Sequence, residues 1–407
     1  MHRFKLSATT AMTVAISLAS GFTLAVDGSS NQTNNSQTGD YPTIAAAIKG
    51  GSAELDFRLR HEEVDVDNMS EDEARALTLR TRVNYTTGRF EGIGISVEMD
   101  NITEIDGNDY PTSPALKNTG NFPGRTMIAD PEGTEINQAY ISYSYGDTLS
   151  KYGRQRINLD NQRFVGGVGF RQNEQTFDAF SIEHTCTAAD TKFYYAHINN
   201  VNRIFGEDDP TLSDTDSSSE IVNINYSGLT AGDIIFYSYL LDEKLTDTQY
   251  DTYGLRFSGE TNGLGYQLEY ANQDRELADG SETEADYILL EGSIDVAGAS
   301  FTLGFENLQS DNANYGFSTP LATGHKFQGW ADQFLNTPNE GLQDVYLSVG
   351  AKFDGIKLLA IYHDFKSDED NLSGDDDLGS ELGLLALKQF GDYTMSIKYA
   401  NYERCDS

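Results

Sequence analysis

The chain has 407 residues and a formal net charge of −36, from 64 Asp plus Glu against 28 Lys plus Arg. That balance excludes recognition of a nucleic-acid backbone, and past the N-terminus no run reaches the roughly 18 apolar residues of a membrane-spanning helix. Hydrophobic content is 38%, yet Tyr and Phe number 23 and 21, Gly 38 and Pro 8, a mixture that long strands, many turns and aromatic girdles produce.

Residues 1–25 read as a secretory signal peptide. Arg3 and Lys5 make a basic start, Leu6 to Leu24 is apolar and small, and Thr23-Leu24-Ala25 offers a cleavage site. Losing those two cations takes the formal charge from −36 to −38. Residues 26–50 read as a flexible polar N-terminal segment: Asp27 to Asp40 is rich in Ser, Asn, Gln and Thr, and Lys49-Gly50-Gly51 ends it.

From Ala53 the pattern alternates. Ala53, Leu55, Phe57, Leu59 and His61 share one face, and Glu54, Asp56, Arg58, Arg60 and Glu62 the other. Leu77, Leu79, Val83 and Tyr85 oppose Thr78, Arg80, Arg82 and Asn84; Ile93, Ile95, Val97 and Met99 oppose Gly94, Ser96, Glu98 and Asp100. Runs of about ten residues span an outer membrane when tilted. One apolar and one charged face suit a barrel with lipid outside and water within.

Further strands are predicted at 135–145, 148–158, 175–186, 191–203, 219–227, 232–242, 250–259, 264–273, 285–294, 299–308, 342–353, 356–365, 380–389 and 393–403, seventeen with the first three. Gly146-Asp147, Glu260 to Gly263, Asp295 to Gly298, Asp354-Gly355 and Gly391-Asp392 are tight joins with hairpin chemistry. Others are long and acidic, as in Gly206 to Ser219 and Lys366 to Gly379. Short turns at one end and long loops at the other predict an all-β fold, a transmembrane antiparallel barrel in the outer membrane, over residues 51–407. The absence of a fixed short repeat counts against a solenoid. The acidic loops have two readings, plain solvation or divalent-cation bridging to anionic lipopolysaccharide. They lack EF-hand spacing.

Several stretches resemble the alginate-export family of bacterial outer-membrane porins. They are "FRLRHEEVD" (Phe57 to Asp65), "LTLRTRVNYTTGRFEG" (Leu77 to Gly92), "NQAYISY" (Asn137 to Tyr143), "GRQRINLDNQRFVGGVGFRQNEQTFDAF" (Gly153 to Phe180), "NNVNRIFG" (Asn199 to Gly206) and "GHKFQGWADQFLNTPNEGLQDVY" (Gly324 to Tyr346). The resemblance implies a monomeric barrel of eighteen antiparallel strands and passage of an anionic uronate polymer through an arginine-lined pore. It also implies a closing strand with a terminal aromatic residue. This chain stops at "KYANYERCDS", so truncation is the expectation at that end.

On the polar face Arg58, Arg60, Arg80, Arg82, Arg154 and Arg156 form a candidate ladder for anions, since a guanidinium fork matches a carboxylate. Glu98 and Asp100 would orient them. Arg163 and Arg171 lie in the glycine-rich connection that follows. The plainer reading is a salt-bridge lattice stiffening the wall. Asn307 to Gly341 is too apolar for a solvated loop, and Lys326, Trp330 and Asp332 are candidates for a constriction; an aromatic cluster on the rim is the alternative. Cys186 and Cys405 are expected to stay unpaired, and no metal or cofactor is called for. Of the histidines past His2 (His61, His184, His197, His325 and His363), His61-Glu62 and His363-Asp364 are strand neighbours that point apart, and GxSxG and HExxH are absent. The expectation is therefore no enzyme, with an outer-membrane hydrolase as the weakest alternative. It is instead a pore in contact with lipid and lipopolysaccharide for small solutes or acidic polysaccharide, with a general or cation-preferring porin as the first alternative.

Overall fold

The computed structural model describes residues 40–66, 73–107, 110–117, 122, 125–370 and 376–404, and the backbone of 8–19. The strands are β1 (Ala8–Ala19), β2 (Ser52–Val66), β3 (Ala74–Thr86), β4 (Ile93–Glu104), β5 (Gly133–Tyr145), β6 (Thr148–Gln155), β7 (Thr176–Cys186), β8 (Thr191–Asn202) and β9 (Asp214–Leu229). After them come β10 (Gly232–Glu243), β11 (Thr248–Thr261), β12 (Leu264–Glu276), β13 (Glu282–Val296), β14 (Ala299–Leu308), β15 (Leu342–Phe353), β16 (Ile356–Lys366), β17 (Asp377–Phe390) and β18 (Tyr393–Glu403). Two short helices, α1 (Ile44–Lys49) and α2 (Pro114–Lys117), lie outside the sheet.

Every predicted strand is present. From β2 to β18 each pairs antiparallel with the next, and β1 pairs with both β18 and β2, so the ring closes at 18 strands. The sequence predicts seventeen strands and leaves the eighteenth position open. In the structure Ala8–Ala19, inside the predicted leader, lies in that position. The reason is directional: β18 runs away from the short-turn end, and its edge faces that of β2 across a gap one strand wide. Unpaired backbone groups in hydrocarbon cost several kcal/mol each.

Turn chemistry sets the register. In Asn262-Gly263, Ala297-Gly298 and Asp354-Gly355 both central residues have positive φ (54 and 77°, 53 and 83°, 47 and 75°), the primed geometry that follows strand twist. These turns gather at one end with α1. Residues 41–50, expected to be flexible, are instead folded there. Thr43 caps α1 by accepting from the Ala46 N–H (3.2 Å), and Tyr41 N–H and Gly88 N–H donate to Arg89 O and Ala47 O (2.7 and 2.9 Å). Residues 26–39 and Cys405 lie outside the described residues. Part of the predicted acidic loop 206–219 is also strand, because β9 begins at Asp214 and pairs there with Asn202.

Alternation along the strands separates two environments. Ile95, Val97, Leu268, Leu290, Leu303, Leu347 and Leu384 are exposed on the outer face, while Arg58, Arg60, Arg80, Arg82, Glu98 and Asp100 are buried on the inner one. A water-facing surface of that apolarity would aggregate, so the outer face belongs in lipid. Replacing an outward residue near mid-strand tests this: Leu290→Arg should destabilise the vesicle-inserted barrel by about 2–4 kcal/mol, measured by reversible urea unfolding.

Candidate functional site

Two long connections fold into the barrel rather than out of it: residues 156–175 between β6 and β7, and 309–341 between β14 and β15. The first crosses the lumen. Phe164 packs on Tyr237, Tyr239 and Tyr287 of β10 and β13 (ring centroids 5.1, 6.0 and 5.4 Å apart). Some eight residues later, Gln172 donates to Thr78 Oγ1 on β3 (2.8 Å) and accepts from Arg58 Nε on β2 (2.7 Å). The second lies beside it, bridged at Val165 and Leu321, with Gly166 N–H donating to Leu321 O (2.9 Å). The strands form a wall, and these connections narrow what it encloses.

Close backbone approach explains the glycines. A Cβ on Gly166 would sit 2.3 Å from Thr323 Oγ1, and one on Gly329, whose φ is +84°, 2.3 Å from Glu381 Oε2. Non-glycine residues are also held left-handed here: Gln162, Val168, Gln328 and Asp332 have φ of 67, 51, 49 and 57°. Each stores on the order of 1–3 kcal/mol, and such strain persists only where surroundings over-determine it.

The surroundings are a lattice of buried ion pairs. Arg82 forks onto Asp100, its partner in the β3–β4 register (Nε–Oδ1 2.7 Å, Nη2–Oδ2 2.5 Å), and reaches Glu174 Oε1 on the inward connection (2.9 Å). Arg156 joins Glu174 Oε2 (2.5 Å) to Glu98 Oε1 (2.8 Å). Arg80 meets Asp56 (2.7 Å), and Arg60 meets Glu62 (2.5 Å) and Asp130 (3.1 Å). Arg171 joins Glu62 (3.1 Å) to Asp332 (2.8 Å), and Arg163 pairs with Glu306 of β14 (2.7 Å). Arg58 is different. It donates to Gln172 Oε1 and to the carbonyls of Gly169 (2.9 Å), Phe170 (3.1 Å) and Arg171, so a guanidinium clamps a turn of backbone.

Burial alone would raise Glu174, but the guanidinium groups of Arg156, Arg82 and Arg80 outweigh it and hold the carboxyl at about 2. Asp332 likewise overcomes burial through His325 and Arg171, and stands at about 2. Both connections are thus tied down by carboxylates ionised across the physiological range.

Arg154 and Arg156, predicted to share a face, are separated. Strand β6 ends at Gln155, so the alternation stops, and Arg156 turns inward. Arg154 keeps the outer face of Tyr152, which is 66% exposed, and pairs with Asp178 (2.9 Å) and Glu207 (3.2 Å) near the long-connection rim. Of the constriction candidates, Lys326 is exposed with its ammonium 5.9 Å from the Phe327 ring centre. The Trp330 and Ala331 N–H groups donate to Glu381 of β17, the latter at 3.1 Å. Asp332 lies between Arg171 and His325.

Asp130, Gln172, Glu174, Glu306, His325, Glu381 and Lys398 escaped sequence reasoning. Glu306, Glu381 and Lys398 occupy inward places in alternating strands, a signal that could have found them. Asp130 lies on an irregular connection, with no periodicity to mark it. A cavity of about 360 Å³, lined by Lys151, Gln155, Arg156, Tyr194, Asn223 and Asn225, lies next to the first connection. A second of about 370 Å³, with Glu135, Arg154, Asn173, Glu174, Asp178 and Arg203 in its wall, opens toward the rim.

Neither a family model nor a curated protein matches the chain. Solved structures do. OccK9 (OpdG) of Pseudomonas aeruginosa aligns over 98% of this chain and 97% of its own, with a TM-score of 0.58 and 11% identity. OpdK of the same organism, solved with vanillate, aligns over 98% of each chain (TM-score 0.59, 8% identity), and OccAB4 of Acinetobacter baumannii over 98% of each (TM-score 0.58, 10% identity). The chain therefore has the transmembrane β-barrel fold of outer-membrane porins. The alginate-export likeness seen in the sequence has no counterpart among these matches.

Removing one lattice member tests the site. Arg82→Ala leaves Glu98, Asp100 and Glu174 short of a cation and should cost about 3–5 kcal/mol. Adding Glu174→Gln should cost less than the sum of the two single changes, read by urea unfolding in lipid vesicles.

Proposed function

We propose that this protein is an outer-membrane channel through which small polar solutes diffuse along a charged lumen, without cofactor or covalent chemistry. The observation that carries this is the division of the barrel: an apolar outer face, an ionised inner face, and two connections folded inside to set the bore. Lipid contact outside and a polar path inside are the two requirements of a porin.

Within that reading the arginines serve first as struts. Arg60, Arg80, Arg82, Arg156, Arg163 and Arg171 each hold at least one carboxylate of this chain. A solute anion entering the lattice would have to displace them. The lumen carboxylate of Glu291, met by Gln267 and Tyr346 rather than by a guanidinium, and the acidic long connections favour a general or cation-preferring channel. Passage of anionic saccharides is the second reading. It is favoured by Arg58, whose charge is met by backbone carbonyls and an amide rather than by a carboxylate. Residence in the outer membrane belongs to the same proposal.

Single-channel recording of the refolded protein in a planar bilayer under a salt gradient tests both readings. The expected reversal potential is cation-selective, with no block by uronate oligosaccharide, and Arg80→Ala with Arg82→Ala should raise conductance by loosening the inward connection. Anion selectivity with oligosaccharide block, weakened in that double variant, would favour the second reading. Absence of any conductance would refute the channel.

A further inference from the structure

His325 is buried at the point where both inward connections meet the wall. Its ring stacks on Phe170 of the other connection, with centroids 3.4 Å apart and planes within 12°. Nδ1 lies 2.7 Å from Asp332 Oδ1, and Nε2 lies 3.1 Å from the Lys398 ammonium of β18. An ammonium can only donate, so Nε2 accepts and Nδ1 carries the proton toward Asp332. The imidazole is therefore neutral, with both nitrogens in use. We propose that this histidine is an acid-sensitive latch: protonation releases the second connection from the wall and widens the lumen.

The groups around it support that direction. Lys398 faces it from β18, Arg171 from the first connection, and Asp332 from its own. Beyond these, Arg60 lies over the Phe170 ring (4.1 Å), Glu62 of β2 holds Arg171, and Glu381 of β17 holds the Trp330 N–H. A proton on Nε2 would break the bond from Lys398 and set two cations against each other at hydrogen-bond distance. Asp332 is shared with Arg171 and offers only partial compensation.

Burial, with Lys398 and Arg171 added, outweighs Asp332 and pushes His325 down to about 4. A released, solvated imidazole titrates near 6.5. A base whose docked pKa is depressed leaves the docked state at full stability above about pH 6.5 and progressively weaker down to about 4. That difference shifts the released-to-docked ratio by up to about 300-fold across the window. Glu174 and Asp332, both at about 2, stay ionised throughout and do not blur it.

The latch carries its own reporter. Trp330 is the chain's one tryptophan. It packs on Gly383, where an added Cβ would meet its ring at 2.8 Å, and on the Lys398 ammonium (4.4 Å). The inference rests on the channel reading for its consequence, but Trp330 emission reads the latch independently. In vesicle-inserted full-length protein titrated from pH 7.5 to 3.5, emission should shift to the red with a midpoint between about 4 and 6.5, and conductance should rise over the same window. His325→Gln should abolish the step. Lys398→Met, which removes the opposing cation and lets the docked imidazole take up a proton without release, should shrink the step, and serves if the glutamine variant fails to insert. A wild-type protein without a step above pH 4, an unchanged midpoint in His325→Gln, or a step lost only in His363→Gln would overturn the latch. A step in emission from a protein that conducts at no pH would uphold the latch and overturn the channel.

Discussion

Closure of the backbone hydrogen-bond ring is the constraint on which everything else rests. In hydrocarbon no water can satisfy a free N–H or C=O, so a sheet that enters a bilayer must end on itself. Eighteen strands do so here, with β1 in the seam between β18 and β2. Once the ring is closed, alternate side chains have no choice of environment. Odd and even positions face lipid or lumen, and a one-residue slip would put arginines in hydrocarbon.

The lumen then poses the opposite problem. Guanidinium and carboxylate groups crowd the wall of β2, β3 and β4, and a buried charge without a partner is unstable. Their mutual pairing resolves this, but the pairing is incomplete on the wall itself. Arg80 and Arg82 of the wall reach Glu174 of the first inward connection, and Glu98 and Glu62 of the wall take Arg156 and Arg171 from it. The connections are thereby held in place by the charges they neutralise. The Arg171 and His325 bonds also hold the left-handed backbone at Asp332. Bore width and wall electrostatics are consequences of one network.

Much of this was legible in the sequence. The faces of β2, β3 and β4 followed residue by residue from a period of two, and the hairpins from Gly paired with Asn or Asp. Arg58, Arg60, Arg80 and Arg82 stood out because they occupy every second place opposite Leu and Val. Long-range partners were not legible. Nothing local in "FVGGVGFRQNEQ" says that Gln172 will lodge between Arg58 and Thr78, about a hundred residues earlier in the chain. Arg154 and Arg156 were grouped for a related reason: alternation predicts a face only while the strand lasts, and β6 ends at Gln155, between them.

By itself, then, the sequence determined a transmembrane barrel with lipid outside and charge inside, because strand periodicity, turn residues and the membrane constraint are local or solvent-imposed. Only the tertiary structure decided which charges remain available in the lumen. Both long connections fold inward, and their carboxylates claim the arginines that composition alone would leave to a passing anion. Pairing at a distance depends on how the ring closes and on which segments it brings within about 3 Å of one another, and no local pattern encodes that.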